Sequence, residues 1–257
     1  MKRRSSLYLT VEILAPVVAL LLIFAFTNSR QSFFLPPLQD VFVAFWKNWL
    51  FTRVPTDVVP SLARLLAGFL IAVFLGLGLG VLFGRSREAR RQATPIIEFL
   101  RAVPPPALLP FTLVALGIGS GAKIFLIALV CIWPILLNTI DGIRGIEITL
   151  QETGRSYRIP AGSRLFRIDL PAAAPQIFAG LRASLPLAII VMVISEMVGA
   201  NDGIGFFIVQ AQRSFAIADM WSGILLLGIL GYLLNLILAL IERSVLAWHR
   251  GAHAAVR

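Results

Sequence analysis

Cysteine, lysine, histidine and charge of either sign are scarce in this 257-residue chain. A single cysteine, Cys131, leaves no disulfide to form within it, which excludes a disulfide-stapled secreted module. The only lysines are Lys2, Lys47 and Lys123, and none follows a glycine. The phosphate-cradling pattern GxxxxGK(S/T) is therefore missing, and Gly117, Gly119 and Gly121 ahead of Lys123 read as a turn. Neither GxSxG nor HExxH occurs, so the hydrolase and zinc-protease signatures are absent. His249 and His253 lie four apart in a basic tail with no third ligand nearby and read as solvated. Charged residues make up 14%, where soluble domains carry about a quarter. A soluble enzyme and a disordered chain are both excluded.

What is present is apolar: 58% hydrophobic residues and a mean hydropathy of +0.86, gathered in blocks. Crossing ~30 Å of hydrocarbon takes about 20 such residues in a helix. Six stretches qualify: Leu9–Thr27, Leu62–Gly84, Pro104–Gly119, Ala122–Ile140, Ile177–Ala200 and Met220–Ile241. The third is the shortest and starts at three prolines. With the amino terminus in the cytoplasm, sixteen lysines and arginines fall on the cytoplasmic side and five outside. The inverse topology would violate the positive-inside rule throughout. The formal charge of +10 is thus a topology signal, and no stacking platform for nucleic acid is visible. Lys2, Arg3 and Arg4 could open a signal peptide, but Glu12, Pro16 and the missing cleavage site favour an uncleaved span.

The expected organisation is a cytoplasmic amino terminus (1–8), a six-helix membrane domain (9–241) and a cytoplasmic tail (242–257). Within the domain, 38–51 holds an outer amphipathic segment with Val41, Phe42, Phe45, Trp46 and Trp49 at helical spacing, suited to a membrane interface. Gly68, Gly76, Gly80 and Gly84 share one helix face, where close packing within the chain and a subunit interface are equally open readings. Gly223, Gly228 and Gly231 read the same way.

The most informative segment is the cytoplasmic loop 141–175, long for a compact membrane protein. Ile146–Tyr157 can form a helix, Pro160 and Gly162 end it, and Ser163–Leu170 supplies a second. Pro171 and Pro175 are expected to turn the chain back toward the bilayer. Two proline-fixed helices make a rigid projection able to transmit a push; a solvated connector is the alternative.

This loop resembles the EAA signature of binding-protein-dependent ABC importer permeases, E-A-A-x3-G-x9-I-x-L-P. Glu152 takes the glutamate position, and Ile168, Leu170 and Pro171 follow at the required spacing. Thr153 and Gly154 replace the alanines, and Arg158 stands where the family usually has glycine. Phe34–Pro37, Ser61–Gly68, Phe125–Arg144, Leu170–Leu181 and Glu196–Phe206 also look like the nitrate, sulfonate, taurine and bicarbonate type of these permeases.

The resemblance implies an all-α membrane protein of type I ABC importer permease-like fold, six transmembrane helices and cytoplasmic coupling helices. It implies a non-enzymatic subunit in the bacterial inner membrane that binds no cofactor. ATP and Mg would sit on two partner ATPase subunits, with a second permease copy and an extracytoplasmic solute-binding protein completing the importer. Glu152, Gly154, Arg155, Ser156, Tyr157 and Arg158 would face the ATPase, while Ile168, Leu170 and Pro171 would hold the arm to the membrane helices. Because arginine disfavours the left-handed backbone that glycine allows, the bend at Arg158 is expected either to stay regular helix or to add an ion pair with the ATPase. Ser195 and Glu196 could line the translocation path, or Glu196 could pair with Arg182 or Arg64; the acidic residue common in this family at that place favours the structural role. Asn138 and Asn235 are expected to hydrogen-bond between helices.

Overall fold

The computed structural model describes residues 33–50 and 52–248; the first expected span, Leu9–Thr27, and the His249–His253 tail lie outside them. Ten α-helices follow in order: α1 (Leu38–Trp49), α2 (Val59–Arg85), α3 (Arg87–Ala102), α4 (Pro105–Leu116), α5 (Ser120–Arg144), α6 (Ile148–Ser156), α7 (Ala161–Arg164), α8 (Leu170–Gly199), α9 (Ile204–Arg213) and α10 (Ile217–Val245). Single π-helical turns, Val54–Val58 and Leu165–Asp169, lead into α2 and α8. In both cases proline is the second residue of the following helix, Pro60 and Pro171. A proline ring clashes with the carbonyl four residues back. A wider turn moves that carbonyl aside, so the chain stays helical through the proline.

Four helical stretches are long and apolar enough to cross a membrane: 54–85, 120–144, 161–199 and 217–245. They contain four of the expected spans. The third expected span differs. Pro104–Gly119 yields only α4, 12 residues or about 18 Å, meeting α3 at a 92° bend. Val103, forced toward extended backbone by the following proline, has φ −73° and ψ 121°, and three consecutive prolines prevent one helix from running through. At most the α3–α4 pair makes one broken span.

The central layer is α2–α5–α8, with α5 the most buried of the long helices. Its α2–α5 contact resolves the glycine stripe in favour of packing within the chain. A methyl group placed on Gly68, Gly76, Gly80 or Gly84 would fall 2.5–2.8 Å from Ile127, Ile135, Thr139 and Ile143 respectively. The pairs advance together along both helices, so α2 and α5 run parallel in constant register, with Ala72 and Cys131 fully buried between the glycine rungs. Helix α8 runs antiparallel to α5: Gly142 faces Ala173, Gly180 faces Asn138, and Ser184 Oγ donates to Cys131 O at 3.1 Å. In the last helix, Gly223 abuts Ile208, while Gly228 faces open space.

The amphipathic segment forms α1, but it is tied to α10 as well as patterned for an interface. Asn48 Nδ2 donates to Asp219 at 2.8 Å, and Trp49 Nε1 donates to Ser222 Oγ at 3.0 Å. Trp49 is buried, whereas Phe42 and Trp46 remain exposed.

The glycine register makes an asymmetric prediction. Gly80→Val should push α2 from α5 and destabilise the protein by about 1–3 kcal/mol or more, read as a lower melting midpoint in detergent. Gly78→Ala, where nothing lies within 4 Å, should be neutral or stabilising by up to about 1 kcal/mol.

Candidate functional site

At the end of the bundle where α2 and α5 finish, α6 and the start of the α7–α8 helix form a projecting arm. Glu152, Arg155, Ser156, Tyr157 and Arg158 are all exposed on it. Gly154 is not: it is buried, and a methyl group there would lie 3.3 Å from both Arg164 Cδ and Ile168 Cδ1. Its expected outward role is corrected to a packing one, because the small residue lets the two halves of the arm close on each other.

The bend is not regular helix. Arg158 has φ +51°, its N–H donates to Arg155 O at 2.9 Å, and the Ile159 N–H donates to Gly154 O at 3.1 Å. This hydrogen-bond pair is a Schellman cap, which needs left-handed backbone at the residue after the cap and usually takes glycine. The cap therefore persists with arginine, at about 1 kcal/mol of strain.

Past Pro160 the chain does not make a separate helix and a turn. Residues 161–199 run as one helical stretch, through the π turn where the Leu170 N–H reaches back to Leu165 O. Pro171 and Pro175 lie inside this stretch instead of turning the chain, as the two-helix reading expected. Ile168 closes on Gly154, and Leu170 packs with Ile143, Ile146 and Ile177. Asp169, between them, is buried and paired with Arg85 at the end of α2, whose Nε lies 3.1 Å from Oδ2. This pair was not singled out from the sequence. Its only signal was a carboxylate next to the start of an apolar span.

The opposite end carries a polar knot. Glu196 is fully buried. Ser61 Oγ lies 2.8 Å from both its oxygens, Arg64 Nη1 donates at 3.0 Å, and the Gly205 N–H donates at 3.0 Å. Arg64 also donates to Ser120 Oγ and pairs with Asp202. Ser61 accepts from the Ile204 N–H at 2.9 Å, Asp57 accepts from the Gly203 N–H at 3.1 Å, and Lys123 Nζ caps the end of α8 at Gly199 O, 2.8 Å. Gly203, at φ +110°, stands where any side chain would strike the Glu196 carboxylate. A buried charge pair survives when its remaining hydrogen bonds are satisfied, and every buried side-chain nitrogen and oxygen among the described residues has a partner.

The alternatives for Glu196 are thereby decided in favour of Arg64. Arg182 pairs instead with Glu242 on α10. Ser195, fully buried, donates back to Met192 O in its own helix, so both side chains are enclosed within this chain. Asn138 does bond between helices, accepting from Gln176 at 2.9 Å, but Asn235 is exposed. Lys123, Asp57 and Ser61 joined the knot without being singled out, since their sequence distance from Glu196 conceals the contact.

Removing Arg64 strands a buried carboxylate. Arg64→Ala should destabilise by about 3–5 kcal/mol, and Arg64→Ala/Glu196→Ala by less than the sum of the single changes, measured by detergent melting. Arg158→Gly should relieve the strained cap, gain about 1 kcal/mol and slow hydrogen exchange in the arm.

With this geometry in place, comparison with known proteins is direct. Residues 68–247 match the family described as binding-protein-dependent transport system inner membrane component. The chain is 35% identical over 191 residues to the bicarbonate transport system permease CmpB of Synechococcus elongatus, covering 74% of this chain and 69% of that one. It is 30% identical over 221 residues to the taurine transport system permease TauC of Escherichia coli, covering 84% and 80%. Among solved structures, the MetNI methionine ABC transporter in an inward-facing conformation superposes with a TM-score of 0.63 at 25% identity, over 74% of this chain and 94% of that one. The arm bearing the EAA-like signature, the helical bundle and these matches agree: the chain belongs to the binding-protein-dependent permeases, the multi-pass inner-membrane subunits of ABC importers.

Proposed function

We propose that the chain carries a small anion inward, with bicarbonate, nitrate, sulfonate or taurine as the substrate class. The support is what similar permeases are named for: bicarbonate for CmpB, aliphatic sulfonates for SsuC of Bacillus subtilis at 34% identity, nitrate for NrtB of Synechocystis at 35% and taurine for TauC. Two copies would face each other around the path, two ATPase subunits would supply ATP and Mg, and a binding protein would deliver substrate from outside. The arm would lie in the cytoplasm with both termini. Nucleotide-driven closure of the ATPases would move the arm and switch the path between inward- and outward-open. Loaded binding protein would favour the same closed state, as linkage requires.

One observation carries the coupling reading. The exposed polar face of α6 is held by a Schellman cap, by Gly154 against Ile168, and by Arg85–Asp169 to the end of α2. A push on Glu152 or Tyr157 is therefore delivered to a membrane helix instead of being lost in a loop. No residue of the arm needs to do chemistry, which suits a subunit driven by its partner.

Glu152→Ala, co-expressed with its ATPase and binding protein and reconstituted in liposomes, should lower uptake about tenfold and weaken stimulation of hydrolysis by loaded binding protein. Wild-type coupling would remove Glu152 from the contact. For orientation, Ser156→Cys should react with an impermeant maleimide only after cells are opened, and Arg213→Cys in intact spheroplasts. The buried Cys131 should leave the background low.

A further inference from the structure

Between the arm and the bundle lies a cavity of about 350 Å³, open on one side, whose lining holds six arginines and one carboxylate, Asp169. Its formal charge is therefore +5. Arg85 is spent on Asp169, and Arg90 donates to Phe83 O at 2.9 Å. The side chains of the other four, Arg87, Arg144, Arg155 and Arg164, form no hydrogen bond or ion pair among the described residues. They come from three separate places: the start of α3, the end of α5 and the arm. The carboxyl-terminal ends of α2 and α5 each contribute about half a negative charge here, which leaves most of the cationic excess uncompensated. Like charges gathered in a concavity repel, and guanidinium forks contributed to one lining by different elements suit an oxyanion able to accept bidentate hydrogen bonds. The volume falls within the range of small-ligand sites, and the position, where apolar helices give way to charged segments, is where basic pockets hold anionic lipid headgroups.

We propose that this cavity binds a phosphate-class oxyanion, either free phosphate or the phosphate of an anionic lipid headgroup. The occupant bridges Arg87 and Arg144 of the bundle to Arg155 and Arg164 of the arm, adding a second tie beside Arg85–Asp169. Occupancy therefore stiffens the arm. Binding itself is independent of the transport reading; only its consequence for coupling rests on that reading.

The test uses the purified full chain and needs neither ATPase nor uptake. Inorganic phosphate is titrated into delipidated protein in zwitterionic detergent, against sodium chloride of equal ionic strength, and the melting midpoint is followed. In parallel, protein from phosphatidylcholine nanodiscs with or without phosphatidylglycerol is examined by native mass spectrometry for retained lipid. A phosphate-specific rise in midpoint, retained phosphatidylglycerol, or both, supports the site and identifies its source. The exposed pair Arg87→Gln/Arg144→Gln should weaken that binding tenfold or more. If the double variant fails to fold, Arg144→Lys, which keeps the charge but loses the fork, should weaken it several-fold. The proposal is overturned if phosphate acts no differently from chloride and no phosphatidylglycerol is retained, or if folded variants bind as well as wild type.

Discussion

Everything in this molecule is referred to the parallel contact of α2 with α5. Glycine at Gly68, Gly76, Gly80 and Gly84 brings the two backbones close enough for Ile127, Ile135, Thr139 and Ile143 to sit directly on α2. Between two apolar helices in lipid there is little hydrophobic driving force, so shape and close approach must supply the association. Because the register is constant, it sets what meets at each end. At one end Ser61 and Arg64 stand level with Ser120 and Lys123; at the other, Arg85 stands level with Arg144.

The two ends use that alignment differently. At the far end, α8 arrives carrying Glu196, and the partners presented by α2 convert a costly buried carboxylate into a fixed joint. Gly203 and Gly205 let the following turn fold over it. At the arm end, α8 begins with a π turn whose Asp169 takes Arg85. Helix α8 is thus pinned to α2 by a charge pair at either extremity. Among the described residues, the side chains of Arg87, Arg144, Arg155 and Arg164 at the arm end have no hydrogen-bond or ion-pair partner, in contrast to the fully satisfied knot.

Much of the arm was legible before any coordinates. The spacing from Glu152 to Ile168, Leu170 and Pro171 placed an exposed polar face and an apolar root in the right order, and both are present. Gly154 was misassigned because spacing on α6 alone cannot show that Arg164 and Ile168 fold back over it. The regular-helix alternative for Arg158 fails because backbone preference alone omits the two capping hydrogen bonds that hold the left-handed residue in place. Pro171 does not turn the chain because the rule that proline breaks helices presumes an α turn before it, and here that turn is π.

Helix content, the long spans and the family itself followed from the sequence alone, since hydropathy over 20 residues and a motif at fixed spacing are local along the chain. The broken geometry of α3 and α4 was only half visible: three prolines announce a break but not its 92° direction. The choice of Arg64 over Arg182 for Glu196, the pairing of Arg85 with Asp169 and the gathering of six arginines around one cavity belonged to the tertiary structure. Each joins residues far apart in the chain, and an ion pair in a membrane protein is selected by which helix packs beside which.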